Sequence, residues 1–111
     1  MIQAGEGRYV VFLRSIQIGN DRLVIISGGE EEHIGAVTLM ENKQEVGTLV
    51  KPGHMDQVIS QKMALRIHQA MGEDLLVVCG IHIDHASKEE IGILLENAEI
   101  CVEQFIKKEK Q

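Results

Sequence analysis

Three short stretches of this 111-residue chain gather the residue types that do chemistry. The first is Gly28-Gly29, followed by His33 and Gly35. The second is Pro52-Gly53-His54, and the third is Gly80-Ile81-His82-Ile83-Asp84-His85. Imidazole is the side chain best suited to moving a proton near neutral pH. Glycine allows backbone N–H groups to close on an anion. His54 opens a helical pattern, where an imidazole beside a helix N-terminus suits a phosphate. His82 with Asp84 two residues later suits a general acid or base and its orienting carboxylate. The same pair also reads as a packed histidine beside an ordinary turn aspartate, and each glycine pair as plain loop geometry. Glu30, Glu31 and Glu32 read as a solvated acidic face, His85 as exposed loop, and His68 as a structural or surface histidine within a helix.

Other chemistries find less support. His33, His54, His82 and Asp84 are acceptable ligand types for zinc or another divalent ion. None has the close spacing of a helical metal motif, so a metal site would have to be assembled from three loops, and metal is disfavoured. Ser27 lacks the strained GxSxG elbow of a nucleophile. The glycines match neither the Walker A nor the Rossmann pattern.

The elements that must position these residues follow from the periodicity. Arg8 to about Ile18 is rich in β-branched and aromatic residues and reads as a strand. Gly19-Asn20-Asp21 is a tight-turn signal, and Leu23–Ser27 returns as the second arm of a hairpin. Gly28-Gly29 breaks that strand. His33–Leu39 forms a third, Glu41-Asn42-Lys43-Gln44 turns the chain, and Val46–Lys51 forms a fourth. From His54 the apolar period changes from two to 3.6 through Met55, Ile59, Met63 and Ile67, with Gly72 as C-cap. Leu75–Cys79 is a continuous apolar run, as a strand buried on both faces would be. Gly80–His85 reads as a loop. Ser87 and Glu90 then form a capping box that starts a second helix, closed by Lys107 and Lys108. Met1–Gly7 reads as a poorly ordered leader.

The order is ββββαβα, which predicts one two-layer α+β domain over 1–111: a mostly antiparallel five-stranded sheet with two helices. Two helices on one side leave the other sheet face partly apolar, and a homo-oligomer formed through the sheet would bury it.

Composition narrows the partners. Apolar residues make up 44% and aromatic residues 3%, so the core is aliphatic and stacking platforms for single-stranded nucleic acid are scarce. A formal charge of −6 opposes binding to a phosphate backbone. No run is long enough to span a membrane and no signal-peptide pattern leads the chain. Cys79 and Cys101 lie in apolar patterns on different elements and read as buried free thiols in a reducing cytoplasm.

Topology brings the three stretches together. If Val46–Lys51 and Leu75–Cys79 run parallel, the helix between them is a crossover and both strands end at one edge. The third strand, antiparallel to the fourth, starts at that edge, and both helices begin there. Ligands favour the carboxyl ends of parallel strands.

Taken in order, Gly28-Gly29, His33-Ile34-Gly35-Ala36-Val37, Pro52-Gly53-His54 and Gly80-Ile81-His82-Ile83-Asp84 resemble the prenylated-flavin chaperone LpdD-like family, which includes an accessory subunit of gallate decarboxylase. The resemblance runs from the second strand to the second helix. It implies a small cytoplasmic accessory protein that binds or delivers prenylated FMN, or FMN, to a large hydroxyarylic acid decarboxylase, with a flavin prenyltransferase as a second partner. It carries Gly28, Gly29, His33, Gly35, Gly53, His54, His82 and Asp84 over as cofactor-binding positions and assigns no catalytic residue. Two features sit awkwardly with it. Met55-Asp56-Gln57 is less acidic than the resemblance leads one to expect, and Glu30–Glu32 would repel a flavin phosphate. Ile34, Ile81 and Ile83 are the candidates for an apolar wall against the ring system.

Two other functions remain consistent with the residues. One is a histidine-dependent lyase or isomerase acting on an aromatic acid, with His82 as acid or base and Asp84 as orienter. The other is a purely structural subunit of a decarboxylase.

Overall fold

A computed structural model of the chain describes residues 1–52 and 56–111. The strands are β1 (Ile2–Ala4), β2 (Val11–Ile18), β3 (Asp21–Gly29), β4 (Glu31–Glu41), β5 (Gln44–Val50) and β6 (Leu75–His82); the helices are α1 (Asp56–Met71) and α2 (Lys88–Glu109). The architecture is the expected α+β, with one strand more than expected. Ile2–Ala4, within the segment read as a poorly ordered leader, pairs antiparallel with Val11–Leu13.

The turns follow from local chemistry. Ile18 pairs with Asp21 across Gly19-Asn20, and Gly19 takes a φ of +60°. Asn42 and Lys43 both take positive φ, which closes the Glu41–Gln44 pair as a two-residue hairpin. The capping box of α2 is present in full: Ser87 Oγ accepts from the Glu90 N–H and the Glu90 carboxylate accepts from the Ser87 N–H. Tyr9 donates to the same carboxylate at 3.0 Å. The Ser87 backbone bond and then the Tyr9 hydroxyl hold the Glu90 carboxyl below its usual range.

The sheet order is β1-β2-β3-β6-β4-β5. β6 is parallel to β3 and antiparallel to β4, which is in turn antiparallel to β5. β5 and β6 therefore run the same way, as expected, but β4 lies between them, and the parallel neighbour of β6 is β3. Two strand ends also differ from expectation. Gly28-Gly29 continues β3, and Gly80, Ile81 and His82 continue β6, because Ser27, Gly28 and Gly29 pair with these three. Pairing on both sides satisfies backbone groups that a loop would leave to water.

Both helices cover one face. α1 packs on β4, β5 and β6, and α2 packs on β1 and β2. Val24, Ile26, Val77, Cys79, Met63, Ile67, Ala98 and Val102 share the core between them. Buried Thr38 on this side bonds Ser60 of α1 at 2.9 Å. Among the described residues, no helix packs on the opposite face. There Ile16, Leu23, Leu76 and Leu39 are register partners across four strands, and Ile25, Val78, Val37 and Leu49 form a second row. β6 is thus covered on one face only, which corrects the expectation of a strand buried on both. Among the described residues, no helix is long and apolar enough to cross a membrane.

Candidate functional site

The edge where β3, β5 and β6 end and β4 begins carries the polar residues singled out above. β4 is irregular there. Glu32 pairs with Ile81 and Ala36 with Cys79, so four steps along β4 match two along β6. His33, Ile34 and Gly35 form the resulting bulge, a device that re-aims side chains near functional sites. The bulge exists because position 80 is glycine. A Cβ on Gly80 would fall on the carbonyl oxygen of His33.

The bulge turns His33 toward Asp56, the first residue of α1. Asp56 is buried, and its Oδ2 stands 3.2 Å from His33 Nε2. Its Oδ1 accepts the Ile81 N–H at 2.8 Å and lies 3.4 Å from the Cys79 thiol, which donates to it. Gly35 provides the space, since a Cβ there would occupy the position of the Asp56 carboxylate. Burial first, and the Asp56 charge second, push the Cys79 thiol well above its usual range.

On the solvent side, the His33 and His82 rings meet edge to face with centroids 5.5 Å apart. His82 Nε2 lies 2.7 Å from Asp84 Oδ1. Asp56, His33, His82 and Asp84 therefore form one polar row that runs from the core to an exposed carboxylate. A carboxylate at each end orients the adjacent imidazole, as outer carboxylates do for functional histidines.

The acidic run beside this row is largely bound. Glu30 accepts the Asp84 N–H at 3.2 Å and faces Arg8 at 3.7 Å. Glu32 accepts from Ser27 Oγ at 2.5 Å and pairs with Arg14 at 3.2 Å. These contacts reduce the repulsion that the bare sequence implies for an anionic ligand.

Several candidate residues play other parts. The Gly29 N–H donates to the Val10 carbonyl at 2.8 Å, and a Cβ on Gly29 would meet the His82 carbonyl. A Cβ on Gly28 would meet the Val10 carbonyl. Both glycines thus allow close strand packing at the edge, and the Gly29 N–H is not turned toward a ligand. Ile81 and Ile83 belong to the core and form no wall, whereas Ile34 is exposed. Ile34 instead lines a shallow hollow of about 260 Å³ with Gly35, Val37, Leu49, Val50 and Lys51. His85 is exposed at a positive φ. Gly53 and His54 lie outside the described residues. Among the described residues, no group of three His, Cys, Asp or Glu is arranged to hold a metal ion.

His68 is structural. Its Nε2 accepts the Lys43 N–H at 2.8 Å, and its Nδ1 is 2.7 Å from the Glu73 carbonyl. A backbone N–H can only donate and a carbonyl can only accept, so the ring is neutral with its proton on Nδ1.

Asp56 escaped the sequence reading. The sequence offered one signal: it is the lone acid in the helix Asp56–Met71 and stands in its first turn.

Protein LpdD of Lactiplantibacillus plantarum is 33% identical over 79 residues, which are 67% of this chain and 58% of that protein. The family described as the prenylated flavin chaperone LpdD-like domain matches residues 5–110. With nearly its whole length matched, the chain belongs to the prenylated flavin chaperone LpdD-like family.

Proposed function

We propose that this chain is an accessory protein that binds prenylated FMN at the His33–His82 edge and passes it to a large hydroxyarylic acid decarboxylase. A flavin prenyltransferase would supply the cofactor, in the cytoplasm, and the chain would work as a homo-oligomer. The observation that carries the reading is the pair of imidazoles, each held by a carboxylate, at one edge of the sheet in a chain of this family.

The residues fit the group. A phosphate accepts hydrogen bonds from oriented N–H donors, and imidazoles held by carboxylates keep that orientation. Ile34, Leu49 and Val50 offer apolar surface to a flat ring, and Lys51 adds a cation at the rim of the hollow. The hollow is smaller than the roughly 300–1,000 Å³ of an enclosing ligand pocket. A shallow seat suits a carrier that must release its cargo.

Titration of the purified protein with FMN and with prenylated FMN, followed by flavin fluorescence and absorbance, tests this. Saturable binding at micromolar concentration, weakened by His33→Ala and by His82→Ala, is expected. No saturable binding of either flavin would remove the proposal.

The 2.7 Å contact of His82 with Asp84 keeps a second reading in view, a histidine-dependent lyase or isomerase acting on aromatic acids. Turnover of a hydroxyaromatic acid that is lost in His82→Ala would favour it. A purely structural subunit would instead tolerate replacement of both histidines and still co-purify with a decarboxylase.

A further inference from the structure

We infer that the helix-free face of the sheet is the surface through which two copies of this chain pair. The inference rests on that surface, which shares Val37 and Leu49 with the hollow lined by Ile34, and does not depend on the flavin reading. In a single chain Ile16 is 52% exposed, Leu39 42% and Leu49 76%. They flank half-buried Leu23, Leu76, Val37 and Val78 in two continuous rows. An apolar patch above roughly 400 Å² marks an interaction site rather than ordinary surface.

Charge selects the occupant. The chain has 17 acidic residues against 11 basic ones, so two copies repel wherever their acidic surfaces meet. The two central rows contain no acidic side chain. Their single ion, Arg14, is already paired with Glu32 at 3.2 Å. A partner of different sequence would be chosen by complementary charge, and these rows offer no unmatched charge to read. A flat, neutral face is instead self-complementary and suits a twofold contact.

The area is sufficient. Five strands about 4.8 Å apart, each with about eight residues rising about 3.3 Å, give a face of roughly 600 Å². That is at the lower end of the roughly 600–1,000 Å² each partner contributes to a stable complex. Two such faces would pack as a sandwich about 10 Å apart, with the helices outermost.

Sedimentation velocity and light scattering on the full chain at micromolar concentration test the pairing. The expected mass is twice the 12.3 kDa of one chain. Leu39→Glu and Ile16→Glu, both at exposed positions of the single chain, are expected to raise the dissociation constant about a hundredfold or more, because each buries two charges per dimer. Far-ultraviolet circular dichroism should stay unchanged. Val58→Glu, exposed on α1, should leave the mass as it is. A wild-type chain that stays monomeric, or a dimer that survives both sheet replacements, would overturn the inference. Should a sheet variant lose its fold, intermolecular methyl contacts between Ile16 and Leu39 in a mixed-isotope wild-type sample decide the question, and their absence overturns it. Ile16 and Leu39 lie outside the hollow that Val37 and Leu49 share with this face, so unchanged flavin titration of both variants separates pairing from cofactor binding.

Discussion

Asp56 reaches from the first turn of α1 to stand 3.2 Å from the ring of His33, in space that exists only because residue 35 has no side chain. One carboxylate thereby joins a helix start, a strand bulge and the Ile81 N–H of the central strand. The histidine edge is built on this buried group.

Replacement of Asp56 separates its two tasks. Asp56→Asn keeps an oxygen for the Ile81 N–H but loses the charge facing His33. Stability should fall little, while flavin affinity should drop about tenfold, as when an orienting partner of a functional histidine is removed. Asp56→Leu also orphans the Ile81 N–H and should cost about 1–3 kcal/mol in urea unfolding. Unchanged affinity in Asp56→Asn would show that the carboxylate is structural only.

The two close-approach glycines should fail to different extents. A Cβ at position 80 meets the His33 carbonyl, which is backbone and can move only with the bulge. A Cβ at position 35 meets the Asp56 side chain, which can rotate. Gly80→Ala is expected to lower stability by about 3 kcal/mol or more and Gly35→Ala by about 1–3 kcal/mol. Thermal melts of the pair check the order.

Both thiols should be silent in the folded protein. Burial raises Cys101 to about 11, and burial with the Asp56 charge raises Cys79 well above its usual value. A thiol-specific reagent at pH 8 should label neither until denaturant is added. A raised folded pKa favours the protonated form, so the Cys101 contribution to stability is present in full below the ordinary thiol range. It is lost as pH rises toward 11. Unfolding midpoints measured from pH 8 to 11 should fall for the wild type and fall less for Cys101→Ala.

His68 provides the control for the histidine edge. Removing its ring orphans the Lys43 N–H and the Glu73 carbonyl, so His68→Leu should destabilise by about 1–3 kcal/mol. Flavin binding by the folded fraction should not change. A loss of affinity equal to that of His82→Ala would contradict the assignment of His68 as structural.

The amino-acid sequence by itself determined the elements and most of their directions. Alternation made strands, the 3.6 period of Ile59, Met63 and Ile67 made a helix, and Ser87 with Glu90 set the start of α2, because these signals act within one or two turns of chain. The meeting of His33 with His82 at one edge was legible too, since strand direction alone brings their ends together. Tertiary structure decided the rest. The place of β6 between β3 and β4 depends on pairing between distant segments, which leaves no local mark on Leu75–Cys79. Ile2–Ala4 is too short to announce itself and is a strand only because β2 offers an edge. In the sequence Asp56 stood out only as part of Met55-Asp56-Gln57, a stretch less acidic than expected. Its partners are a thiol, an amide and an imidazole from two other strands, and only folding puts a side chain from one element into the gap left by a glycine in another.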